Sequence, residues 1–294
     1  MTRDAIDRLT LFFSRQQTRQ GLLARAALGR PAPGDAELCL RLACTAVREL
    51  RPDGSLRGAA LPTIWRAHEL LDLAAPVSAE STRQALQWVL QLQDKPGAYG
   101  EGCDRERHGR RVCGHYLGGF FAPAAPTERL APVTLPNGKM YRAEPAARFA
   151  LSCLALRAVL RGALDRPAVR RHLDSLTSLV EQWTAWGGYF PPDLILAVMH
   201  ALAEAGAERR DVVRRLAVLA AEHQSEDGGW PNTDFFHALE ALRAAGTEEA
   251  RAATRRAVPF LLSRQRPDGT FGPTAQQERA LIGLRALLWA EDVS

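Results

Sequence analysis

Residues 222–242 read EHQSEDGGWPNTDFFHALEAL, and this stretch decides the fold. A helix ends near Gln224, a tight Asp-Gly-Gly-Trp turn follows, and a second helix begins near Asn232 or Thr233, either of which can cap it. Gly228 and Gly229 admit the positive φ angles that other residues resist. Trp230 can then fold back against the helix pair, and Pro231 suits a helix start, where its missing N–H costs nothing.

Working outward, the same plan recurs: apolar helix, glycine turn with an aromatic or Leu, apolar helix. The turn glycines are Gly54, Gly97, Gly188, Gly229 and Gly269, giving gaps of 43, 91, 41 and 40 residues. The long gap is about one period plus an insertion. Within each unit apolar residues recur at i, i+3, i+4 and i+7, the mark of amphipathic helices. A helix-turn-helix period near 40 means an open α-solenoid or a closed α/α toroid. No alternating run is long enough for a convincing strand. The expectation is one all-α domain over residues 1–294, with about 11 or 12 helices. Residues 2–16 are read as the first helix, and QQTRQGLL as a worn repeat.

The 294 residues, 46% of them hydrophobic, suffice for a sizeable core. No run approaches the roughly 18 to 20 apolar residues of a membrane span. The start, MTRDAIDRLTLFF, lacks the layout of a secretory signal, so a cytoplasmic location is expected. The formal charge is +5, nearly all of it from Arg spread over helix faces, which argues for a solvated surface and against nucleic acid. The five Cys are odd in number, so disulfides are not expected. Cys39, Cys44 and Cys153 sit in apolar helical runs and read as buried small hydrophobes.

The units resemble the repeats of squalene-hopene cyclases and of protein prenyltransferase β subunits. Those repeats combine a helix ending in Gln, a short acidic turn, Gly-x-Trp or Gly-x-Phe, and a second helix. This chain shows Gln224…Gly228-Gly229-Trp230, Gln265…Gly269-Thr270-Phe271 and Gln93…Gly97-Ala98-Tyr99. The resemblance covers about residues 36–290. It implies a toroid with inner and outer rings, the helices after the turns lining a central cavity, and an active site near the inner helix starts. The catalytic candidates there are Asp193, Asp234, His237 and Glu278. Trp65, Phe235, Phe236 and Tyr141 are the candidate substrate contacts. Asp193 and Asp234 also have a purely structural use as helix-start acids.

Asp234-Phe235-Phe236-His237 resembles the prenyltransferase segment that ends in a zinc-ligand His. The nearest counterpart of that family's Asp-x-Cys is Asp193-Leu194-Ile195, without the Cys, and such an enzyme would also need an α-subunit partner. The Asp-x-Asp-Asp acid of squalene-hopene cyclases and the Asp-Asp-x-x-Asp magnesium motif are absent: the chain has no Asp-Asp pair. Terpenoid chemistry here would need a differently arranged acid or metal.

The insertion, about residues 103–144, is longer than a connection requires. Cys103, His108, Cys113 and His115 fall within 13 residues and would suit tetrahedral zinc; the alternative is a surface loop with incidental Cys and His. Arg105, Arg107, Arg110 and Arg111 could clamp an anion or form a solvated run. Leu117–Ala125 could be a lid, and Pro-Asn-Gly at 136–138 signals a small hairpin. His68, His172, His200 and His223 read as surface or satisfied helix residues. No nucleotide-binding loop, Gly-x-Ser-x-Gly elbow or His-Glu-x-x-His motif appears.

Three functions follow. The first is a terpenoid cyclase or prenyltransferase-like enzyme acting on an apolar isoprenoid-like or polyketide-like molecule. The second is a non-catalytic binding or scaffold barrel. The third is a metalloenzyme using the Cys/His loop. Apart from zinc no cofactor is implied, and a protein partner stays open.

Overall fold

The computed structural model describes residues 2–92, 121, 128–181, 185–187 and 191–292. Cys103, His108, Cys113 and His115, the loop arginines and the turn at Gly97 lie outside the described residues.

Helices alternate between two layers. The outer ones are α1 (Thr2–Ser14), α3 (Asp35–Arg48), α5 (Ala79–Leu90), α7 (Pro167–Val180), α9 (Arg210–Glu222) and α11 (Glu248–Ser263). The inner ones are α2 (Arg19–Ala27), α4 (Ala60–Leu73), α6 (Glu144–Arg161), α8 (Pro192–Ala203), α10 (Phe235–Ala245) and α12 (Gln276–Glu291). Each inner helix touches the next, and α12 returns to pack on α2, so the inner ring closes. The architecture is an α/α toroid. QQTRQGLL supplies α2, capped by Thr18, and is the sixth inner helix rather than a vestige.

Inner helices α6 and α8 are buried almost all round because both their faces are covered. Every residue of α8 from Pro192 to Leu202 is buried. Outer helices such as α9 bury one stripe, here Val213, Leu216, Ala217 and Ala220. No helix among the described residues is long and apolar enough to cross a membrane.

The repeated turn has a packing reason. Gly228 has φ +89°, and a Cβ there would stand 2.4 Å from the Arg256 carbonyl oxygen. Gly54 and Gly269 approach the outer-ring residues Gln84 and Arg8 in the same way. Each glycine thus seats its turn on the backbone of a neighbouring outer helix. The Gln before it completes the joint: Gln224 Nε2 donates to the Gly228 and Ala253 carbonyls, both at 2.9 Å. Gln265 does the same toward Ala5 and Gly269. Trp230 folds back as expected, its indole N–H donating to the Ala220 carbonyl at 2.8 Å.

Two local expectations change. The cap of α10 is Asp234, not Asn232 or Thr233; Asn232 takes φ +56° in the turn, and Pro231 lies outside the helix. Cys153 is buried, but Cys39 and Cys44 are half-exposed on outer α3. The signalled hairpin forms, pairing β1 (Val133–Thr134) with β2 (Met140–Tyr141).

Candidate functional site

That hairpin sits across the starts of α8, α10 and α12. Asp234 caps α10, accepting from the His237 backbone N–H at 3.0 Å, and its other oxygen accepts from Arg279 at 3.2 Å. Asp193 is buried; it accepts from the Asp234 N–H at 3.0 Å and pairs with Lys139 of the hairpin. His237 Nε2–H donates to the Asp193 carbonyl at 3.1 Å, and Nδ1 faces the Asn137 amide at 3.3 Å. The partners set this tautomer, because a carbonyl only accepts and an amide nitrogen only donates. Asn137 also donates to Glu240, and its backbone carbonyl receives Arg279. The Tyr141 hydroxyl donates to the Asp193 carbonyl at 3.3 Å.

The hairpin and the inner helix starts therefore satisfy one another. Three of the four catalytic candidates, Asp193, Asp234 and His237, lie in this joint. Both His237 ring nitrogens are engaged by protein, the Asp193 carboxylate is bound to Lys139, and Ile195 occupies the position of the missing thiolate. These residues do not fit a prenyltransferase-type zinc ion. Among the described residues no group of three or more His, Cys, Asp or Glu side chains could hold a metal.

Two aromatic candidates also lie away from the cavity. Phe235 packs on Phe260 of outer α11 with ring centroids 4.7 Å apart, and on Trp230. Phe236 is buried against Phe271 and under the Arg279 guanidinium. Their place follows from α10 starting later than expected: Phe235 becomes its first residue and turns toward the outer layer.

The cavity lies deeper along the toroid axis and holds about 200 Å³. Of the sequence candidates, Glu278 and Trp65 line it. Apart from Leu239 and Ile282, the rest of its wall is polar or charged. Arg19 bridges Asp72 and Glu278, the latter at 2.6 Å, and lays its guanidinium 4.9 Å from the Trp65 ring centroid. Arg161 donates to Asp72 at 2.6 Å and to His68 Nδ1 at 3.1 Å. Arg157 reaches Glu240 at 3.2 Å. His200 stands 4.0 Å from Glu204. Arg243 and Arg285 complete the charged part of the wall.

Burial sets the protonation states. It drives His68 down to about 3, with the Arg157 and Arg161 charges adding to the effect. It holds His200 well below the usual imidazole range. Both rings are neutral. Burial also raises Glu278, more than Arg19 lowers it. For Asp72 burial acts upward, but Arg19 and Arg161 outweigh it and keep the carboxyl below its usual range. The wall thus holds one carboxyl biased toward its protonated form beside one firmly ionised.

His68 and His200 are cavity residues rather than surface ones. A signal for them exists in the sequence. Along otherwise apolar inner helices, polar residues pair at i, i+4: His68 with Asp72, Arg157 with Arg161, His200 with Glu204. That spacing puts each pair on one face.

No family model matches the chain, and no curated protein matches it in sequence. Solved structures do match. A variant of the type II terpene cyclase MstE from Scytonema, in complex with its product merosterolic acid A, is 16% identical at a TM-score of 0.58, covering 98% of this chain and 96% of that one. Another variant, bound to its substrate geranylgeranyl dihydroxybenzoate, is 17% identical at 0.58, covering 98% and 97%. A protein from Actinoplanes is 15% identical at 0.59, covering 99% and 100%. The chain has the fold of these proteins over nearly its whole length.

Proposed function

We propose that this protein is a terpenoid cyclase-like enzyme that acts on an isoprenoid-bearing small molecule in the central cavity, with Glu278 as its proton donor. The observation that carries the reading is Glu278 itself: a largely buried carboxyl, raised by burial, in the wall of the toroid's central cavity. A buried carboxyl shifted toward its protonated form is what starting a cyclisation by protonation requires. In the step, the Glu278 O–H bond breaks as its proton forms a C–H bond with an alkene carbon. A carbocation and a carboxylate result, and Arg19 and Gln20 stabilise the carboxylate. A second alkene then closes the ring with its π electrons, and a C–H bond of the product cation breaks, its proton returning to the Glu278 carboxylate directly or through water to give a neutral product and the restored acid. The cavity is smaller than the roughly 300–1,000 Å³ of drug-sized sites. It fits the reacting end of a chain rather than the whole.

The likeness to MstE, which binds geranylgeranyl dihydroxybenzoate, supports the choice of substrate class. A second reading, a barrel that binds without chemistry, draws on one observation: Asp72, Glu240 and Glu278 are all already held by arginines. The deciding experiment incubates the protein with geranylgeranyl diphosphate and with geranylgeranyl dihydroxybenzoate and separates the products by mass and retention. Cyclisation yields an isomer of unchanged mass that disappears in Glu278→Gln. Saturable binding of either compound with no isomer establishes the binding barrel instead.

A further inference from the structure

We propose that Arg243 and Arg285 form a binding site for the carboxylate or phosphate group of the small molecule that occupies the cavity. The proposal rests on the cavity being a small-molecule site, as above, but not on any reaction occurring there.

Five arginines face four carboxylates in the cavity wall. Three arginines are matched: Arg19 and Arg161 to Asp72, Arg157 to Glu240. Arg243 and Arg285 have neither a hydrogen bond nor an ion pair among the described residues. Each sits on an inner helix, α10 and α12, well past its start. Glu240 and Glu204 act on Arg243, and Asp72 and Glu278 on Arg285, at longer range. Of these carboxylates Glu240, Asp72 and Glu278 are spent on other arginines. Arg243 is exposed, whereas Arg285 is partly buried, which disfavours its charge, and the Arg243 charge disfavours it further. Two like-charged guanidinium groups, neither in a direct ion pair among the described residues, line the same wall, and an anion bound there would make charge-assisted hydrogen bonds with both.

The pair is also reachable. Arg243 and Arg285 line both the cavity and a more open groove beside Leu23, Leu288 and Trp289. A ligand would meet them on the way in, its anionic group held there and the remainder free to reach toward Glu278.

The test is calorimetric titration of the full chain with sodium benzoate and, separately, inorganic diphosphate, at matched ionic strength. Saturable binding of one or both is expected, weakened at least about tenfold by Arg243→Gln and by Arg285→Gln, since a charge-assisted hydrogen bond is lost in each. The preference between the two probes tells a carboxylate from a phosphate ligand. Arg214→Gln, on outer α9 where exposed Arg214 pairs with Glu249, should bind like the parent and controls for net charge. Circular dichroism at the titration temperature confirms that each variant is folded. No saturable binding of either anion, or equal weakening by Arg214→Gln, overturns the proposal. Because no turnover is measured, failure here is separate from failure of the cyclase reading.

Discussion

Acid should destabilise this protein through its cavity, and His68 shows why. Its Nε2–H donates to the Leu154 carbonyl at 3.0 Å, and its Nδ1 accepts from Arg161 at 3.1 Å. A proton added at Nδ1 would face a guanidinium N–H in a buried setting. The folded-state value therefore falls from 6.5 to about 3. The unfolded chain takes up the proton as the pH falls through 6.5, while the folded chain refuses it until about 3, so stability is present above that window and lost on descending through it. Linkage over the step from about pH 7.5 to about pH 5 gives a loss of about 2 kcal/mol from this one residue. His172, also lowered to about 3 by burial, adds a similar amount. The assay is denaturant unfolding at both pH values for the parent and for His68→Gln, which keeps a donor and an acceptor but does not titrate. The variant's loss on acidification should be smaller than the parent's by about 2 kcal/mol. Equal losses in the two proteins would show that the fold does not hold His68 neutral, and the account of the cavity's electrostatics would fail with it.

Other expectations follow from single contacts. Gly228→Ala meets both a left-handed backbone angle and a carbonyl 2.4 Å from the new Cβ, whereas Gly246→Ala meets only the angle, its nearest atom being 3.9 Å away. The angle alone costs about 1–2 kcal/mol, so Gly246→Ala should lose about that and Gly228→Ala clearly more, read from chemical denaturation; equal losses would refute the packing account of the turn. Lys139→Met leaves the Asp193 carboxylate buried without its cation and should cost about 3–5 kcal/mol, with partial recovery in a Lys139→Met, Asp193→Asn double variant. Trp230→Phe removes the indole bond to the Ala220 carbonyl and should lower stability by about 1 kcal/mol or more, depending on how the turn repacks.

The repeats were legible because each unit carries its own instructions. A turn glycine, a preceding Gln and a following aromatic all act within about ten residues or against the adjoining outer helix, so Gln224, Gly228 and Trp230 could be read in order and found in place. The cap of α10 was missed by one or two residues, since Asn232, Thr233 and Asp234 are all competent caps; in the fold Asn232 takes a left-handed angle in the turn and the Thr233 hydroxyl bonds back to the Pro231 carbonyl, leaving Asp234 to cap. Candidate sites fared less evenly. Asp193, Asp234 and His237 stand at inner helix starts as read, but nothing local shows that a hairpin 54 to 100 residues earlier in the chain would occupy Asp193 through Lys139 and His237 through Asn137. His68 and His200 read as surface or satisfied helix residues because an i, i+4 polar pair on a helix looks the same whether its face meets solvent or a cavity; only the ring of helices turns those faces inward.

By itself the sequence determined that the chain builds repeated pairs of amphipathic helices, because a 40-residue period and the amphipathic spacing within it are properties of neighbouring residues. The tertiary structure alone decided that the ring closes through α2 and α12, that the hairpin occupies the inner helix starts, and that the open space lies deeper among arginines. Those outcomes depend on charges and hydrogen-bonding groups brought together from distant helices: Arg19 meets Glu278 only once the six inner helices have come full circle.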